Sequence, residues 1–263
     1  MARKRKKNPS LDDATREYMR ERDRIEPLRE DLHEYLEKTS VGYFIRHPFC
    51  NEMIHDLKRC AMIHDTIDTR TAKADALFEA HDYEGYINCI EVYSQPEWFA
   101  KDADELPDDR YWPLLSRIYQ TQKYTHYYRD LFDRLFRADR PGRENLMEPE
   151  EREVLAKLPD VLTVYRGYSD DDYEGYAEGI SWTLDRREAV WHANWNHEHE
   201  YPRVITGKVR KEDVWAYFDG GDLLLPPEAV YDKRDRAARN EKARQGWSQF
   251  ITKRFDVTTL FGK

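Results

Sequence analysis

Two hydrophobic rhythms divide this chain, and the change between them falls near residue 158. Ahead of it, apolar side chains recur every three or four positions, as one face of an α-helix requires. Leu11-Asp12-Asp13 offers acidic capping residues to a long polar helix running to about Lys38. From about Asn51 to Ala138 the chain reads as successive helices, with Met53, Ile54, Leu57 and Met62 at helical spacing. The pattern continues from Tyr83 to Tyr93, and Gln95-Pro96 is expected to break it. Leu106-Pro107-Asp108-Asp109 opens another helix, with Trp112, Leu115, Ile118 and Tyr119 on one face. The next carries Tyr124, Tyr128, Leu131, Leu135 and Phe136 and stops at Arg140-Pro141-Gly142. Glu148-Pro149-Glu150-Glu151 starts a short one with proline near its first turn, ending at Leu158-Pro159-Asp160.

At Val161 the period shortens. Val161-Leu162-Thr163-Val164-Tyr165 is a compact β-branched run of the kind that becomes a buried strand. Gly179–Thr183, Arg203–Val209, Asp213–Phe218, Asp222–Leu225 and Gln249–Val257 are further candidate strands. One helix intervenes, from Asp185 to about Asn196, with Ala189, Val190 and Ala193 turned inward. The pattern predicts an α+β protein: a disordered basic lead over residues 1–10, a helical domain over 11–157, and a strand-rich domain over 158–263.

Charged residues make up 36% of the 263, yet 18 Tyr and 7 Trp argue for packed cores rather than disorder. The net charge of −9 gives no global reason to bind nucleic acid or an anionic membrane. Locally the balance differs. Arg3 to Lys7 form a basic tip, which reads either as a solvated terminus or as a contact tail for RNA or DNA. Cys50, Cys60 and Cys89 are odd in number and fit no metal-ligand spacing, as expected of buried, reduced thiols in a cytoplasmic protein. No apolar run is long enough to span a membrane, and no signal-peptide core follows Met1-Ala2-Arg3-Lys4.

Three segments of the second half carry polar residues able to handle a dinucleotide: Val164-Tyr165-Arg166-Gly167, Gly179-Ile180-Ser181-Trp182-Thr183, and Asp222-Leu223-Leu224-Leu225-Pro226. Arg166 ends a strand with Gly167 behind it, which lets a ligand approach the backbone. Its planar fork suits bidentate contact with phosphate oxygens. Ser181 and Thr183 alternate with Trp182, so both hydroxyls face one side of their strand.

An arginine, then a serine, then an acid in this order resembles the arginine–serine–glutamate class of ADP-ribosyltransferases, most closely its phage and bacterial members. The resemblance covers roughly residues 158–230 and includes Leu158-Pro159-Asp160, Leu184-Asp185 before a helix, and Lys211-Glu212-Asp213-Val214 with Ala216-Tyr217-Phe218. It implies a mixed α/β split β-sandwich: two small packed sheets with NAD in the cleft between them. NAD would be the substrate, and no metal is implied. Arg166 would anchor NAD and Ser181 orient the site, with Tyr165, Gly167, Trp182 and Thr183 completing the two motifs. A carboxylate near the nicotinamide ribose would stabilise the oxocarbenium-like species formed as that bond breaks.

The third element departs from the family. A Glu-x-Glu or Gln-x-Glu pair usually stands there, and this chain has Gly220-Gly221-Asp222. Asp222 would take the place of the catalytic glutamate, with a reach shorter by roughly 1.5 Å. Gly220 would take that of the residue that helps handle the acceptor. Glu228, six positions on, is the weaker candidate for the carboxylate.

Other patterns carry alternatives. His192, His197 and His199 with Glu198 and Glu200 suggest a metal cluster or simply a polar helix end and loop. Trp191 and Trp195 read as core or as a nicotinamide stack. Tyr119, Tyr124, Tyr127 and Tyr128 read as a contact between helices or domains. Lys233, Arg234, Arg236, Arg239, Lys242 and Arg244, ahead of Trp247, lie on an expected helix that is either a salt-bridged solvent face or a nucleic-acid grip.

The function expected from the resemblance is cleavage of the nicotinamide–ribose bond and transfer of ADP-ribose to a macromolecular acceptor. The acceptor would be a protein or nucleic acid of a bacterial host, in the host cytoplasm if the chain is phage-encoded. The alternative is an inactive protein of the same fold that binds a nucleotide or a host protein as inhibitor or adaptor. Nucleic-acid binding through the two basic ends is a third, weaker reading.

Overall fold

A computed structural model describes residues 11–22, 24–122, 125–169, 179–194 and 201–238. The basic lead, the expected strand Gln249–Val257 and the basic residues from Arg239 onward lie outside the described residues. The chain divides into two units, 1–123 and 124–263, so the boundary precedes the change of period near residue 158. Both units are mixed α and β, and among the described residues every pairing between named strands is antiparallel.

The first unit is not purely helical. Helix α1 spans Leu11–Arg22 and does not reach Lys38. Pro27, which would sit inside such a helix, has no N–H to donate. The chain there runs extended instead, with the Glu26 amide donating to the Lys58 carbonyl at 2.8 Å. Strands β1 (Leu36–Thr39), β2 (Gly42–His47) and β3 (Cys50–Ile54) form a meander. Met53 and Ile54 therefore pair with Phe44 and Tyr43 rather than lying on a helix. Ile45, Cys50 and Ile54 turn one face of this sheet onto Leu32, Ile63 and Ile67.

Helices α2 (Ala61–Glu79), α3 (Tyr83–Cys89), α4 (Gln95–Asp102) and α5 (Asp108–Thr121) complete the unit. Gln95-Pro96 starts α4 rather than only breaking what precedes it, because proline fits a helix's first turn. Nε2 of Gln95 donates to the carbonyls of Ile87 and Ile90, both at 3.1 Å, and so satisfies the end of α3. On α5 the expected face of Trp112, Leu115, Ile118 and Tyr119 is buried.

The second unit opens with α6 (Arg129–Phe136) and α7 (Pro149–Lys157), the latter with a reciprocal cap between Glu148 and Glu151. Strands β4 (Val161–Ser169), β5 (Ser181–Thr183), β6 (Pro202–Arg210), β7 (Ala216–Phe218), β8 (Asp222–Leu224) and β9 (Tyr231–Ala237) follow, with α8 (Arg186–Ala193) after β5. Among the described residues these strands make one six-stranded sheet, ordered β7-β8-β5-β4-β6-β9, where two packed sheets were expected. The reason is β4: it pairs with β6 from Val161↔Arg210 to Ser169↔Pro202 and with β5 on its other edge.

Alternation along these strands sends Leu162, Val164, Trp182, Ile205 and Leu223 to one core. Tyr165 and Val204 point the other way, under Ala189, Val190 and Ala193 of α8. Lys233, Arg234 and Arg236 lie on β9, not on a helix. Every residue of β9 is exposed, and alternating charge suits an edge strand that must not recruit another.

Gly167 is where α8 meets the sheet. A Cβ there would stand 1.7 Å from the Ala189 carbonyl oxygen and 2.8 Å from the Ala193 nitrogen, both backbone atoms of α8. Gly167→Ala is expected to destabilise the second unit by about 1–3 kcal/mol, read as a lower urea midpoint. An unchanged midpoint would show that α8 does not pack this closely.

Candidate active site

The three motif segments meet in the sheet, because β8, β5 and β4 are consecutive neighbours. Asp222 lies directly across from Thr183, and Thr183 directly across from Tyr165. At about 4.8 Å per strand, the Asp222 and Tyr165 backbones are roughly 10 Å apart. Ser181 faces Leu224, one pleat repeat along from the acid. The hydroxyl beside Asp222 is thus that of Thr183. It is buried, and its Oγ1 accepts the Asp185 amide at 3.2 Å, in the turn that leads into α8.

The register separates the motif residues by face. Ser181, Thr183, Asp222 and Tyr165 share the α8 side. Arg166, across from Ile205, shares the other side with Trp182 and Leu223. There Arg166 Nη1 donates to the Ser181 carbonyl at 2.6 Å. Its guanidinium lies so close over Gly179 that a Cβ on that glycine would come within 2.1 Å of Nη2. Trp182 Nε1 donates to the Gly179 carbonyl at 3.0 Å. Arg166 and Trp182 together fix the backbone that leads into Ser181, and Arg166 reaches that residue by its carbonyl rather than its hydroxyl.

Asp222 follows a tight turn between β7 and β8. Gly220 and Gly221 adopt φ of +97° and +95°, a region that side chains other than glycine rarely occupy. This conformation accounts for the two glycines ahead of Asp222. The turn is held from α7: Glu151 Oε2 accepts the Glu148 amide at 2.9 Å, and Oε1 accepts the Asp219 amide at 3.0 Å. Burial first, then the charges of Asp219, Glu151 and Asp222, push the Tyr217 hydroxyl above its ordinary pKa. Asp219, Glu151 and Asp222 are thus all close enough to the Tyr217 hydroxyl to act on it. Glu151 was missed as part of this site, although its capping spacing from Glu148 was visible.

Glu228 is committed elsewhere. Arg137 donates to both of its carboxylate oxygens, at 2.7 and 3.0 Å, and also to Asp133 at 2.8 Å. The hydrogen bond from Arg137 holds Glu228 below the usual carboxylate range. These groups, with Arg129 and Lys233, line a cavity of about 450 Å³ that reaches Ile180, the residue before Ser181.

The remaining candidates divide. His192 Nε2 lies 3.7 Å from Oε1 of Glu188, a buried acid on α8 that the sequence did not single out. Trp191 packs edge-on against His192, with centroids 4.9 Å apart. Trp195, His197, Glu198, His199 and Glu200 lie outside the described residues. Among the described residues, no group of three His, Cys, Asp or Glu side chains could hold a metal ion. Tyr119 belongs to the core of the first unit, Tyr127 is 77% exposed, and Tyr128 packs on Phe132 at 6.3 Å. Tyr124 lies outside the described residues. Cys50, Cys60 and Cys89 are free and buried, and burial pushes the Cys50 thiol up to about 12. No helix among the described residues is long and apolar enough to cross a membrane.

No family model, curated protein or solved structure matches this chain.

The Arg137–Glu228 pair predicts a pH dependence. Since Arg137 depresses the folded-state pKa of Glu228, the pair stabilises above the ordinary value of 4.5 and is lost as pH falls below it. The Glu228 side chain is 63% exposed, so Glu228→Gln should cost under about 1 kcal/mol at pH 7. The difference from wild type, measured by denaturant titration, should shrink as pH falls below 4.5. A difference independent of pH would contradict this account.

Proposed function

We propose that the second unit is an NAD-dependent ADP-ribosyltransferase whose site is built on β4, β5 and β8. The observation that carries this reading is the adjacency of those strands, with Asp222, Thr183 and Tyr165 in one cross-strand line. The Asp222 carboxylate supplies the negative charge that an oxocarbenium-like ribose needs. Ser181, on the same face, orients the nicotinamide ribose. Arg166, on the opposite face, positions Ser181 by holding its backbone carbonyl.

In this mechanism the nicotinamide–ribose bond breaks with its electron pair leaving on nicotinamide. The ribose cation is captured by a nucleophile of a macromolecular acceptor or by water. Asp222 lowers the barrier by charge and takes no covalent part. The acceptor is a host protein or nucleic acid if the chain serves a phage.

A second reading has one specific observation in its favour. Arg166 lies on the sheet face opposite Asp222, and glycines forced by the turn occupy the acceptor-handling position. On that reading the unit binds a nucleotide or a protein partner without turnover.

The test is nicotinamide release from NAD by the purified protein. Wild type should release it, and Asp222→Ala should lower the rate by at least about 100-fold. Arg166→Ala should chiefly raise KM, and Asp222→Glu should retain activity. No release by either wild type or Asp222→Glu, with partner binding unchanged in Asp222→Ala, would favour the second reading.

A further inference from the structure

The first unit holds a second cavity, of about 480 Å³, lined by Tyr35, His47, Phe49 and Trp98 and by the exposed acids Asp31, Asp68 and Asp75. Its volume falls in the range of pockets that take small molecules. Tyr35 and His47 meet edge-on with centroids 4.6 Å apart, and Phe49 and Trp98 do the same at 5.4 Å. Part of the lining is α2, where Asp68, Ala72 and Asp75 recur at helical spacing and face the cavity.

The charges do not balance. Asp31, Asp68 and Asp75 face a single guanidinium, Arg29, an excess of two negative charges. Arg29 is engaged by Asp68, to which Nη1 donates at 2.8 Å, and lies 3.5 Å from Asp31. Asp75 has no ion pair among the described residues. His47 adds no compensating charge: its Nδ1 accepts the Phe49 amide at 3.2 Å. Burial first, then Arg29, holds its imidazole below the usual range. Lys101 Nζ, 4.3 Å from the Trp98 centroid, shows that this ring takes a cation, and counting it leaves an excess of one negative charge.

We propose that this cavity binds a small organic cation, with a guanidinium or alkylated ammonium head held between Trp98 and the Asp75 carboxylate. Aromatic faces attract cations through their quadrupole, and an unpaired carboxylate completes the neutralisation. Excess negative charge disfavours anions. This inference is independent of any activity in the second unit.

The test is NMR titration of the full chain at constant ionic strength, reading the Trp98 indole N–H, assigned through Trp98→Phe. Choline and butylguanidinium are the probes, and 3,3-dimethylbutan-1-ol is the neutral isostere of choline. At least one cation should shift the resonance saturably, and choline should bind roughly 2- to 30-fold more tightly than its isostere if it is the ligand type. Tighter binding of choline assigns an alkylated ammonium, and tighter binding of butylguanidinium assigns a head paired to Asp75. Asp75→Asn should weaken the preferred cation several-fold, while Glu79→Gln, outside the cavity, should not. The proposal fails if neither cation gives a saturable shift, or if Asp75→Asn binds as wild type does. It also fails if choline is preferred yet its isostere binds equally well, or if Glu79→Gln weakens binding as much as Asp75→Asn.

Discussion

Strand β4 is paired along its whole length with β6 and at Tyr165 with β5, and the second unit is organised by the register of those pairings. A one-residue slip against β6 would move Val164 out of its core and Tyr165 out from under α8. The nine-residue register from Val161 to Ser169 excludes that slip. With β4 fixed, β5 is fixed by its pairing with β4, and β8 by its pairing with β5. Asp222 thereby reaches Tyr165 through one intervening residue although 57 positions separate them in sequence. The close approach of α8 over Gly167 follows from the same constraint, since only an unencumbered backbone fits beneath Ala189.

That register also decides the chemistry available on each face. Ser181 and Asp222 share a side because they lie an even number of pleats apart across a paired boundary. Arg166 is adjacent to Tyr165 and must point away from them. Its guanidinium nevertheless influences Ser181, because the strand is thin enough for a side chain on one face to hold a carbonyl in the plane of the sheet. Arg166 is thus tied to the site through the backbone of the residue it was expected to accompany. Glu151 ties α7 to the β7–β8 turn that leads into Asp222.

Much of the architecture was legible in residue patterns. The buried face of α5, the span of α7 and the positions of β4, β5 and β8 follow from periodicity and turn residues. The first unit was misread where one residue overruled a pattern. Pro27 removed a donor from an otherwise helical stretch, and hairpin pairing made strands of Met53 and Ile54. The charged run after Tyr231 was misread as a helix because an exposed edge strand needs no hydrophobic alternation. The motif residues were visible as types and spacings, but their division between faces was not. Register is a property of long-range pairing, and no local signal encodes it. Glu151 shows the same limit: its cap spacing was evident, its contact with Asp219 was not.

The most direct test of the central claim, that β4, β5 and β8 together form an NAD site, is a crystal structure with a non-hydrolysable NAD analogue. The nicotinamide ribose should lie against Ser181 with Asp222 within hydrogen-bonding reach. An analogue bound away from these strands, or not bound at saturating concentration, would contradict it.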